Sequence, residues 1–81
     1  MARISGKADE DQNLLKLGRA VRAARHDAGL SQEALADAAG IDRSHMGKIE
    51  RGERNLTFLN LLRIAGALHS KPSELMVAAG L

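Results

Sequence analysis

The chain has 81 residues, a net charge of +2 from 12 Lys and Arg against 10 Asp and Glu, and no Cys, Trp or Tyr. That length supports one small domain with a single core, and the absence of cysteine excludes both a disulfide framework and a cysteine-based zinc site. Charges soon after Met1 leave no apolar signal core and no apolar run approaches the roughly 20 residues that span a bilayer, so a soluble, cytoplasmic protein without a membrane partner is expected.

The first dozen residues, MARISGKADEDQ, are polar and lack helical periodicity. They predict a flexible tail over 1–12 ahead of one folded domain over 13–81. From Leu14 the apolar residues Leu14, Leu17, Val21, Ala24 and Ala28 recur at three and four, the period of a helix. Gly29 suits the left-handed position that ends one. Ser31 is placed to cap a second helix through Ala39, with Glu33 in its first turn, and Gly40 stops it. Asp42 caps a third helix from Arg43 to about Arg51, and Gly52 follows it. Thr57 opens a fourth, FLNLLRIAGALH, whose Leu59, Leu62, Ala65 and Leu68 are expected on one inward face. Pro72 suits the first turn of a fifth, PSELMVAAG, which ends near Gly80. No strand alternation and no internal repeat is visible, so the fold class is all-α, with five helices and short turns.

The stretch LSQEALADAAGIDRSHMGKIERGERN carries the chemistry. Two short helices joined through a glycine cross steeply, and the crossing needs a small residue, a need that Ala36 meets. Leu35, Ala36, Ala39, Ile41, Met46 and Ile49 form an inner set. If Met46 and Ile49 face inward, the opposite stripe of the third helix is Ser44, Gly47, Lys48 and Arg51, with Arg43 at its start. Arg, Ser and Lys are donors suited to purine edges and phosphates. Gly47 costs a helix interior about 1 kcal/mol relative to alanine. Either it lets the backbone approach a groove closely, or it sits at an exposed position where the loss is tolerated.

The order SQEALADAAGIDRSHMGKIERG resembles the helix-turn-helix of the phage Cro and repressor type, the xenobiotic-response-element family. The likeness continues through NLLRIAGALHSKPSEL and so spans Leu14 to about Met76. Within that family, IDRSHMGKIERGERNLT is most similar to the controller proteins of restriction–modification systems. The resemblance implies a compact five-helix domain of the lambda-repressor-like DNA-binding type. It also implies a sequence-specific transcriptional regulator that acts as a homodimer on a palindromic operator in double-stranded DNA. Residue by residue, Gln32 matches a phosphate-binding side chain at a helix start. Arg43, Ser44 and Lys48 match base-reading positions, with His45 at their margin. Arg51, Arg54 and Asn55 match a phosphate-gripping loop. Arg25 and Glu50 match a partly buried ion pair between the first and third helices. One departure stands out: His69-Ser70-Lys71-Pro72 replaces the Gly, apolar residue and Ser cap with which relatives leave the fourth helix.

Other chemistry fits poorly. His26, His45 and His69 are scattered, so no metal site is expected. Ser31 and Ser44 read as cap and polar contact, not as activated nucleophiles. Asp42 and Glu50 do not form an acid–base pair, and the glycines lack phosphate-loop spacing. No enzyme, cofactor or small-molecule ligand is indicated. Lys16, Arg19 and Arg22 read as a solvated face. Leu75, Met76 and Val77 have more apolar character than a monomer's terminus needs and are expected at a dimer interface, within the C-terminal helix. The alternative function is an antitoxin or partner-binding subunit that uses the helix-turn-helix for autoregulation.

Overall fold

Short polar side chains open the first four helices, and left-handed residues follow the ends of all five. The computed structural model describes residues 9–81, in the order α1 (Asn13–Asp27), α2 (Gln32–Ala39), α3 (Arg43–Glu50), α4 (Phe58–Ala67) and α5 (Pro72–Ala78). Ser31 Oγ accepts from the Ala34 N–H at 3.0 Å and Thr57 Oγ1 from the Asn60 N–H at 3.2 Å. Each satisfies an N–H group that has no partner inside its helix. At α1 the acceptor is Asp9, whose Oδ2 lies 2.6 Å from the Leu14 nitrogen. Residues 9–12 are therefore a capping turn and not part of a tail, because an aspartate four residues before the helix reaches the unpaired N–H of Leu14. The rest of the expected tail, residues 1–8, lies outside the described residues.

The exits share one design. Gly40 takes φ 69° and lets the Ile41 N–H donate to Ala36 O at 2.8 Å. At the end of α4 the same hydrogen bond runs from the Ser70 N–H to Ala65 O at 2.9 Å, but the left-handed residue is His69, at φ 55°. The departure noted in the sequence thus leaves the cap intact and puts its strain on an imidazole residue. The chain then enters α5 at Pro72, with Glu74 Oε1 accepting from the Lys71 N–H at 3.1 Å.

One core joins all five helices. Val21, Leu35, Met46 and Ile64 are fully buried at its centre, with Leu17, Ile41, Ile49 and Leu75 around them. Each such side chain contributes about 1.5–3 kcal/mol by leaving water. α1 packs against α3 and α5, and α2 packs against α3 and α4.

Two expectations change here. The inward face of α4 is Leu61, Ile64, Ala65 and Leu68, while Leu59 and Leu62 lie outside it and are exposed. α4 is apolar on two sides, so a run spaced strictly at three drifted around the helix onto the wrong one. Leu75 is only 3% exposed within a single chain. It belongs to the core, because the first turn of α5 lies against α1. Of the three residues assigned to a dimer surface, only Val77 is largely free, and Met76 is half-buried.

Two glycines seat α1 on the end of α3. A Cβ on Gly18 would stand 2.6 Å from the Glu50 carbonyl oxygen and closer still to that of Ile49. On Gly52, at φ 72°, it would stand 2.7 Å from Leu15 Cα. Backbone meets backbone at both points, which fixes the tilt of α3.

Candidate nucleic-acid interface

α3 is aimed by its cap. Asp42 Oδ2 accepts from the Ser44 N–H at 3.1 Å, the His45 N–H at 3.4 Å and the Ser44 hydroxyl at 2.6 Å. The Ser44 hydroxyl, then the His45 N–H, hold the Asp42 carboxyl below the usual aspartate range. Because Ser44 gives its hydrogen to Asp42, its oxygen faces outward mainly as an acceptor.

The structure brings most of the predicted DNA contacts to one place. An open hollow of about 500 Å³ lies between the start of α2 and the face of α3, lined by Gln32, Asp42, Arg43, Ser44, Gly47, Lys48 and Arg51. Arg43 and Ser44 are exposed, and Lys48 and His45 are half-exposed. Among the described residues the two ion pairs are Arg25–Glu50 and Arg51–Glu53, so Arg43, Lys48 and Arg54 remain unpaired. Arg54 and Asn55 are exposed just beyond α3, outside the lining of the hollow.

Glu53 is a neighbour that sequence reasoning missed. Gly52 turns the chain so that the Glu53 carboxylate accepts from Arg51 Nε. Arg51 holds that carboxyl below the usual glutamate range, first by this hydrogen bond. An Arg-Gly-Glu run after a helix was the available signal.

Gly47 lines the hollow from within the helix. It is buried, and a Cβ there would lie 3.1 Å from Arg51 Nη1 and 3.3 Å from Gln32 Oε1. It leaves room for these two side chains at the hollow, and an exposed site does not describe it.

Behind the hollow lies a buried pair. Arg25 Nε donates to Glu50 Oε2 at 2.8 Å and Arg25 Nη2 to Glu50 Oε1 at 3.1 Å. The two residues are 8% and 4% exposed. A bidentate pair in such surroundings costs several kcal/mol if one partner is removed, since the other charge stays buried. Gln32 joins it, as Nε2 donates to Glu50 Oε1 at 3.1 Å.

Comparison with known proteins agrees with this geometry. Residues 21–75, more than half of the chain, match a family model described as "Helix-turn-helix". The chain belongs to the Cro and repressor type of helix-turn-helix proteins. Members of this family are DNA-binding transcription regulators and not enzymes. The control protein C.SmaI from Serratia marcescens is 40% identical over 65 residues, 80% of this chain and 77% of that protein. The crystal structure of the restriction–modification controller protein C.AhdI from Aeromonas hydrophila superposes with a TM-score of 0.76 at 48% identity, covering 76% of this chain and 94% of that one. The clp gene regulator ClgR from Corynebacterium glutamicum superposes with a TM-score of 0.82 at 25% identity, over 84% of this chain and 87% of that one. This helix-turn-helix chain is thus similar both to restriction–modification controllers and to a regulator of another gene class. Among the described residues, no helix is long and apolar enough to cross a membrane, and no cluster of His, Asp and Glu could hold a metal ion.

Proposed function

We propose that this helix-turn-helix protein acts as a homodimer on a palindromic operator and controls restriction–modification genes. Arg43, Ser44 and Lys48 read base edges, with His45 beside them, while Gln32, Arg51, Arg54 and Asn55 hold phosphates. One observation carries the reading. A single open hollow gathers the start of α2, the exposed start of α3 and several cationic side chains, on an element fixed from behind by a buried ion pair. Similarity to the controller proteins of Serratia marcescens and Aeromonas hydrophila supports the choice of target genes.

The dimer reading is supported by exposed apolar side chains on α4 and α5. Phe58, Leu59 and Leu62 on α4 are 69%, 62% and 38% exposed, and Val77 on α5 is 75% exposed. Unpaired apolar side chains of this size on so small a domain suit burial against a second copy. Two half-sites about 34 Å apart would then face the two α3 helices and multiply a specificity that one small domain cannot reach alone. An antitoxin or partner-binding role would use the same side chains. Co-purification of a different chain in place of a self-dimer would point to it.

Base reading is tested by Arg43→Ala. It is expected to cost about 1–3 kcal/mol of operator affinity and to relax the preference at one position, while Gln32→Ala weakens binding evenly across sequences. Operator binding by Arg43→Ala at the wild-type level and specificity would end the base-reading assignment.

A further inference from the structure

Glu50 is buried and lies outside the lining of the hollow, yet one of its three hydrogen bonds goes to a residue that lines it. Its carboxylate accepts twice from Arg25 on α1 and once from Gln32 on α2, while Glu50 itself ends α3. Arg25 Nη1 also donates to Leu30 O at 2.9 Å, just ahead of the α2 cap, and Arg25 Nη2 lies 3.3 Å from His26 Nε2. Leu30, Arg25, Glu50 and Gln32 therefore close a ring around the start of α2.

The chemistry of the ring fixes a direction. An ionised carboxylate accepts hydrogen bonds and donates none, so only the nitrogen end of the Gln32 amide can face Glu50. The carbonyl oxygen must then point towards α3, and it lies beside the position of a Gly47 Cβ, at 3.3 Å. A glutamine free at the edge of an open hollow would sample several rotamers and both amide orientations. Tied to Glu50 it keeps one orientation, with the second hydrogen of Nε2 left to donate.

We infer that Glu50 is a positioning residue for DNA binding, which acts through Gln32 by presenting a single amide N–H to the phosphate backbone before DNA arrives. The inference rests on the proposed phosphate contact of Gln32. Glu50 thereby links the base-reading helix, which it ends, to the phosphate contact at the start of α2.

A double-mutant cycle separates positioning from folding. Binding to a mixed-sequence duplex is measured by fluorescence anisotropy for the wild type, Glu50→Gln, Gln32→Ala and the double variant, at a temperature where each is folded by circular dichroism. A phosphate contact acts on any sequence, so this probe suffices. Glu50→Gln is expected to bind about three- to tenfold more weakly, the cost of ordering one side chain that the wild type holds in place. Gln32→Ala is expected to lose at least as much. In the Gln32→Ala background, Glu50→Gln is then expected to change affinity less than about twofold. In the free wild type the two Gln32 side-chain amide protons should give distinct, exchange-protected NMR resonances, and Glu50→Gln should remove that protection. If Glu50→Gln fails to fold, Glu50→Asp replaces it in the same cycle, keeping the charge for Arg25 and shortening the reach to Gln32. An equal loss from the position-50 change in both backgrounds overturns the inference and assigns Glu50 to folding alone. Wild-type binding by Gln32→Ala overturns the phosphate contact on which the inference rests.

Discussion

Gly18→Ala adds one methyl group where α1 rests on the end of α3. The new Cβ would lie 2.6 Å from the Glu50 carbonyl oxygen, against the 3.4 Å at which ordinary contact begins. α1 must retreat by about 1 Å, because the obstacle is backbone and cannot rotate away. Overpacking of this kind costs about 1–3 kcal/mol. The retreat also stretches the Arg25–Glu50 pair, now 2.8 Å between Nε and Oε2, and hydrogen bonds to charged groups are worth about 1.5–3 kcal/mol. Alanine returns up to about 1 kcal/mol through its better helix propensity. The net loss expected is about 2–4 kcal/mol, a large part of the roughly 4–12 kcal/mol available to a domain of this size. Urea and thermal unfolding followed by far-ultraviolet circular dichroism read it directly, with a fall in Tm of about 10–25 °C. Gly18→Ala with wild-type or greater stability would show that α1 is not seated on α3 through this glycine.

Three further outcomes follow from the same geometry. His69→Gly should raise stability by about 1 kcal/mol, since glycine holds the left-handed position at the end of α4 without a Cβ penalty; an unchanged or lower Tm would contradict the cap. Gly47→Ala should be slightly more stable, by up to about 1 kcal/mol, because the displaced atoms are the ends of the Arg51 and Gln32 side chains. It should also bind DNA less well as those ends leave the hollow, and a less stable variant would show that they cannot give way. Asp42, whose carboxyl is held below its usual range by Ser44 and His45, contributes its cap in full above the unfolded-chain value near 3.9. That contribution is lost as pH falls through the lower folded value. Acid unfolding of Asp42→Asn should therefore show a shallower loss of stability below about pH 4 than the wild type, and parallel curves would rule out this role.

Helix boundaries were legible because each boundary is local chemistry. Ser31, Asp42 and Thr57 announce starts, and Gly29, Gly40, Gly52 and Gly80 announce ends within a residue or two of where the chain turns. Faces were harder. α4 carries apolar residues on two sides, and only the position of α2 decides that Ile64 goes in and Leu59 stays out. Leu75, Met76 and Val77 are consecutive in a helix and so point three ways, which a reading of them as one surface cannot respect. Most candidate contacts meet at one hollow because α3 is short and its outward residues are near in sequence. The Gln32–Glu50 bond and the Gly18 contact join residues 18 and more than 30 positions apart, and no local pattern announces such meetings. Gly18 did leave a trace, as a glycine inside an otherwise regular helical run.

The proposed dimer sets two copies of α3 on a symmetric DNA site. Selection from a random duplex pool by the purified protein at near-physiological salt, with sequencing of the bound fraction, tests it most directly, since low salt would inflate phosphate binding. Enrichment of a two-fold symmetric motif with half-sites about one helical turn apart is expected, lost at one position per half-site in Arg43→Ala. Folded protein that enriches no motif, or a motif without two-fold symmetry, would contradict it.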